Sequence, residues 1–127
     1  MKDKLTKEQS AHLIELGVSA EKASAGDFCV AYGNGARGIM KTPAAPIFTL
    51  VDVLELLPKE IAGEKSARCL EIICIKDKDT SVDIWYPVYA DKSGSIYVDI
   101  PFIQSKELID ALYELLCWTI KNKYLKI

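Results

Sequence analysis

Apolar positions are most concentrated in residues 48–61, where Asp52 and Glu55 are the only polar side chains between Thr49 and Pro58. Thr49 is a favourable N-cap, because its hydroxyl can accept from an unpaired amide of the first helical turn. Pro58 ends the pattern, since proline lacks an amide donor and disfavours helical geometry in the residue before it. We therefore expect a short central helix that is covered on several sides.

The pattern predicts two further helices, one towards each end of the chain. Thr6 opens a capping box ahead of a helix over residues 7–16, and Gly17 is suited to terminate that helix. A longer helix begins after Ser105 and ends near Asn122, because its apolar residues recur at helical spacing along one broad face.

Three strands are predicted between the central and C-terminal helices, over residues 66–76, 82–90 and 96–100. Short polar turns separate them, which is typical of an antiparallel meander. Residues 66–76 are apolar on both faces, so this strand should lie in the middle of the sheet and be covered on both sides. Together these elements predict a single α+β domain spanning residues 1–127.

The segment that precedes the central helix contains a glycine motif that can be interpreted in two ways. Gly33, Gly35 and Gly38 match G-x-G-x-x-G with Arg37 inside the motif, as in loops that bind phosphate at the start of a helix. Pro43 follows too closely for the required helix. The Asn-Gly pair instead predicts a small β-hairpin after a strand over residues 27–32, with the outer glycines at a bulge or an irregular end.

Aromatic side chains supply the other candidate site. If Tyr89 pairs with Tyr97 across the last turn of the meander, both share one sheet face with Trp85. Such residues dominate protein interfaces, so this face is predicted to bind a partner; the alternative is burial under the N-terminal helix or the hairpin. Trp118 lies on the polar side of the C-terminal helix, where it is either covered by the chain's tail or offered to a partner.

Composition and charge reduce the number of functions that the chain could have. Half of the 127 residues are apolar, 27% are charged, and the formal charge of −2 argues against a nonspecific nucleic-acid binder. No two of the four cysteines are spaced as C-x-x-C, and all four are interpreted as core residues. The lone histidine, His12, is expected to be solvated beside Glu8 and Glu15. We therefore predict no metal, no cofactor and no catalytic site.

No signal peptide or membrane-spanning segment is visible, so the expected location is the cytoplasm. Residues 5–10, 48–61 and 107–125, in this order, resemble a family of small uncharacterised proteins from gut Bacteroidetes genomes and their prophages. The match covers about half of the chain, while residues 26–46 depart from it. The resemblance implies a bacterial or prophage accessory protein and transfers no catalytic residue.

The predicted function is therefore noncatalytic, through interaction with an unknown protein partner or with a second copy as a homodimer. The alternative is a small nucleotide- or phosphate-binding protein that uses Gly33, Gly35, Arg37 and Gly38.

Overall fold

The computed structural model describes residues 1–27, 30–33, 36–39, 45–62, 67–91 and 101–125. Its helices are α1 (Lys7–Glu15), α2 (Leu50–Leu56) and α3 (Leu108–Lys121), with a single 3-10 turn at Ala20–Lys22. Its strands are β1 (Ala25–Asp27), β2 (Val30–Gly33), β3 (Ala36–Ile39), β4 (Ala45–Ile47), β5 (Glu60–Ile61), β6 (Arg68–Lys76) and β7 (Asp83–Ala90). The predicted α+β class is confirmed. The described strands pair as three antiparallel groups, β1-β4, β2-β3 and β5-β6-β7.

Local sequence signals place the start and end of α1 as predicted. The Thr6 hydroxyl accepts from the Gln9 amide, and the Gln9 side chain accepts in return from the Thr6 amide. After the helix, Gly17 has a φ of 110°, a backbone conformation that side chains with a Cβ rarely adopt. The capping box and the glycine terminator are both confirmed.

Helix α2 begins at a second capping box, formed by Thr49 and Asp52, and ends before Pro58 with Leu57 as its C-cap. Its burial differs from the expectation at two positions. Asp52 is buried, because its carboxylate accepts hydrogen bonds from both Ser24 and Thr49. Val51 is 60% exposed on the helix. Helix α2 is therefore covered on several sides, as expected, but its apolar surface stays open at Val51.

The largest sheet is built on the pairing of β6 with β7, which runs without interruption from Cys69↔Ala90 to Lys76↔Asp83. The first two predicted meander strands are thus confirmed. The third member of the described sheet is β5, which pairs with β6 only at Glu60↔Cys69 and Ile61↔Arg68. The strand predicted over residues 96–100 lies outside the described residues.

The prediction that β6 is covered on both faces is wrong. Residues 71–76 are all exposed, whereas the first residue of the strand, Arg68, is buried. Two features explain this. Strand β5 reaches only the beginning of β6, and α3 packs on β7. Nothing in the described part of the chain covers the second half of β6.

The hairpin predicted at the Asn-Gly pair is confirmed. Strands β2 and β3 pair in continuous register from Val30↔Ile39 to Gly33↔Ala36. Residues 34–35 lie outside the described residues. Because the register is unbroken, the expected bulge at Gly33 or Gly38 is absent from this pairing. Of the strand predicted over residues 27–32, residue 27 lies in β1 and residues 30–32 lie in β2, while residues 28–29 lie outside the described residues.

A short strand, β4, precedes the start of α2. Residues of β4 pair with β1, with Gly26 opposite Pro46. The φ of Gly26 is 108°, and a Cβ atom on this residue would lie 2.0 Å from the Ala45 carbonyl oxygen. The close approach of β1 to β4 therefore requires a glycine at this position.

One hydrophobic core joins the three helices to the inner face of the sheet. Fully buried members include Leu13 of α1, Val53 of α2, Leu112 of α3 and Tyr89 of β7. The N-terminal segment joins this assembly through the Lys2 ammonium, which lies 2.9 Å from the Asp110 carboxylate. No described helix combines the length and the apolar character needed to cross a membrane.

Candidate functional site

The aromatic residues of β7 face the core. Tyr89 is fully buried, and its hydroxyl donates to the Pro58 carbonyl oxygen at 2.7 Å. Burial raises the pKa of the Tyr89 hydroxyl above its usual value. Trp85 is half-buried against the core. Tyr89, one residue of the predicted partner-binding face, therefore has no surface to offer a partner. Helix α3 packs on β7, and Tyr97 lies outside the described residues.

Trp118 is covered by the chain's own tail, one of the two predicted arrangements. Its indole stacks on the Tyr124 ring with centroids 5.2 Å apart, and the Tyr89 ring lies 6.5 Å away on the inner side. The indole remains half-buried, so its accessible edge borders a groove on α3.

The glycine motif does not form a phosphate-binding helix start. Gly33 ends β2, and Arg37 and Gly38 lie in β3, so the motif continues into a strand. A pyrophosphate site of this type requires helix amides directly after the glycines. Gly35 lies outside the described residues, and the structure describes the backbone alone at Arg37.

A cluster of His12, Tyr113 and Cys117 lies where α1 meets α3, and sequence reasoning missed it. The His12 Nδ1 atom lies 2.5 Å from the Tyr113 hydroxyl and 3.8 Å from the Cys117 sulfur. His12 therefore contacts α3 instead of serving only as a solvated neighbour of Glu8 and Glu15. The spacing of Tyr113 and Cys117 places them on one helix face. No sequence signal joins them to His12, which is about a hundred residues away.

Burial works against activation of the cysteine in this cluster. Burial raises the pKa of the Cys117 thiol and outweighs the hydrogen bond from Tyr113 that favours the thiolate. Burial also raises the pKa of Tyr113 to about 12, with the Cys117 thiol contributing in the same direction. Both groups therefore stay protonated at neutral pH. The groove beside them, about 340 Å³, is lined by His12, Tyr113, Glu114, Cys117, Trp118 and Lys121.

The second half of β6 presents a strand edge that no other described strand pairs with. The Leu70 amide donates to the Lys59 carbonyl oxygen at 2.9 Å, on the side of β6 away from β7. Because successive residues of an antiparallel strand bond to opposite sides, the amides and carbonyls of Ile72, Cys74 and Lys76 also point to that side. No strand among the described residues pairs with them. We call residues 72–76 the free edge of β6.

The free edge carries apolar side chains on both faces of the sheet. Ile75 is 54% exposed, Ile72 is 39% exposed and Ile73 is 36% exposed. Ile73 and Ile75 share the outer face with their β7 partners Tyr86 and Ile84. Natural edge strands are usually protected by prolines, inward charges or bulges. The central residues of this edge carry none of these devices, which makes it chemically suited to pair with another strand.

The described residues contain no group of three or more His, Cys, Asp or Glu side chains that could hold a metal ion. In comparisons with known proteins, no family model, curated protein or solved structure matches the chain. The chemistry of the site therefore rests on the geometry of this chain alone.

Proposed function

We propose that the protein is a noncatalytic interaction module that binds a strand of another protein chain along the free edge of β6. The observation that supports this function is the combination of open backbone groups with exposed isoleucines at residues 72–76. In strand addition, main-chain hydrogen bonds supply affinity and alternate side-chain contacts supply specificity. This edge offers both kinds of contact over the same five residues.

The proposed interaction surface differs from the aromatic surface predicted from the sequence. Tyr89 and Trp118 stabilise the core and the tail, whereas Ile72, Ile73 and Ile75 remain accessible. The protonated Cys117 thiol supports a noncatalytic role. With the family resemblance, we propose a cytoplasmic accessory of a bacterial or prophage mobile element that acts by contacting another protein.

A proline at the centre of the free edge tests this function. In Cys74→Pro, the lost amide is one that points away from β7, so the β6–β7 ladder keeps its hydrogen bonds. We expect affinity capture from a bacterial lysate to recover a partner about tenfold less well with this variant, since each lost bond costs about 1 kcal/mol and the proline ring also blocks pairing. Quantitative mass spectrometry of the captured protein measures the difference.

The matched control is Cys74→Val, which removes the thiol and keeps the amide. It should recover the partner as well as the wild-type chain does. Equal recovery by a folded Cys74→Pro variant would show that the partner binds elsewhere and would refute this function for the free edge.

A further inference from the structure

We propose that the strand bound at the free edge of β6 is the same strand of a second copy, which makes the protein a two-fold symmetric dimer with one continuous sheet. The inference rests on the proposed function and specifies its partner. Its support is the length of the free edge and the sequence it carries.

The position of β5 restricts how far a bound strand can extend. The Leu70 amide is already bonded to the Lys59 carbonyl, so a second copy can pair only beyond that point. In a closed dimer the two strands are antiparallel, and the same residues of both copies must meet across the axis. Pairing residues 72–76 with themselves places Cys74 on the axis. Sliding the partner further towards Leu70 would bring it against Lys59.

In this register every outward group of the free edge finds a partner. Cys74 pairs with the partner's Cys74, and Ile72 pairs with the partner's Lys76. These are the residues whose amides and carbonyls point away from β7, as the bond at Leu70 shows. The dimer therefore satisfies backbone groups that have no strand partner among the described residues of one chain.

The same register joins the isoleucines on the outer face. Ile73 lies directly across from the partner's Ile75, and Ile75 from the partner's Ile73, so four isoleucines meet around the axis. Strand β7 extends each row, because Ile75 pairs with Ile84 and Ile73 with Tyr86. Directly opposite apolar pairs are the stabilising unit of an antiparallel sheet. The free edge is thus complementary to itself.

Crosslinking through Cys74 tests the register. Opposite Cα atoms in a hydrogen-bonded antiparallel pair lie about 5.5 Å apart, within the usual disulfide range of about 4.4–6.8 Å. Diamide accepts the two hydrogens of the paired thiols, so it should convert the reduced protein into a covalent dimer linked at Cys74. Cys69 is also an exposed free cysteine in the structure. A Cys29→Ser, Cys69→Ser chain should still crosslink, and Cys74→Ser should not.

Light scattering of the reduced protein during size exclusion tests the dimer itself. Wild type and Cys74→Val should approach twice the 14.1 kDa mass of one chain as concentration rises. Cys74→Pro should stay at the mass of one chain. Ile73→Lys is a second interface variant, since it places two like charges beside the axis and leaves the edge amides intact.

The possible results separate the symmetric dimer from the proposed function. A wild-type mass that stays at one chain, a dimer unaffected by both Cys74→Pro and Ile73→Lys, or a crosslink through Cys69 refutes the symmetric dimer. If the protein is monomeric while Cys74→Pro still abolishes capture of a foreign protein, only the choice of partner is wrong. If neither self-association nor capture depends on Cys74→Pro, the proposed function fails with it.

Discussion

Asp52 shows how one buried carboxylate organises two elements. Its oxygen accepts from the Thr49 amide at the start of α2, and from both the amide and the hydroxyl of Ser24 at 2.8 Å. Burial alone would raise the pKa of Asp52. The hydrogen bonds from Thr49 and Ser24 outweigh burial, so the pKa of Asp52 lies below its usual value. The charged carboxylate therefore stabilises both the α2 cap and the segment before β1.

The stabilisation from Asp52 should depend on pH in one direction. Because the folded pKa lies below the unfolded value of about 3.9, the contribution is fully present above that pH and is lost as the pH falls through the folded pKa. We expect Asp52→Asn to lower the free energy of unfolding by about 1–2 kcal/mol at neutral pH. Its denaturation curves should also show a smaller loss of stability on acidification.

Glu55→Gln is the control, since it removes an exposed carboxylate from the same helix. If Asp52→Asn loses as much stability on acidification as the wild-type protein does, the charge on Asp52 does not stabilise the N-terminal cap of α2.

At the scale of elements, a side-chain hydrogen bond joins β7 to the residue that follows the C-cap of α2. The buried Tyr89 hydroxyl donates to the carbonyl of Pro58, just after α2 ends. This contact fixes the end of the helix against the sheet. This hydrogen bond also explains why Tyr89 on β7 is buried in the core.

Removing only the hydroxyl measures that contact. Tyr89→Phe keeps the ring in the core and leaves the Pro58 carbonyl without its donor, so the free energy of unfolding should fall by about 1 kcal/mol. Urea denaturation, with Tyr86→Phe on the outer face as the comparison, determines the difference. A loss no larger than that of Tyr86→Phe would contradict the assignment.

Local signals predicted the starts of α1 and α2, and long-range contacts decided burial. Helix α3 begins at Leu108 with Glu107 as its N-cap, and not directly after Ser105 as predicted. The caps at Thr6 and Thr49 depend on residues three positions apart, which a sequence displays directly. The exposure of Ile73 and Ile75 could not be predicted in this way, because an apolar run on both faces is also typical of a covered central strand. The contact of His12 with Cys117 depends on the packing of α1 on α3, which no local pattern encodes.

At the scale of the whole molecule, the core is concentrated at one end of the β6–β7 ladder. Helix α3 packs on β7, and β5 pairs with β6 only at its beginning. The ladder continues past this covered end to Lys76↔Asp83. The exposed apolar side chains of β6 lie in this projecting half, so the fold itself separates a stable core from a surface suited to pairing.

Amide hydrogen exchange, resolved by residue with NMR, tests the free edge most directly. In dilute protein, the amides of Ile72, Cys74 and Lys76 should exchange faster than those of residues 71, 73 and 75, which point towards β7. At high concentration the first three should become protected as the second copy binds. Equal protection of all six amides in protein that light scattering shows to have the mass of one chain would mean that the edge is already paired within the monomer. That result would contradict the account.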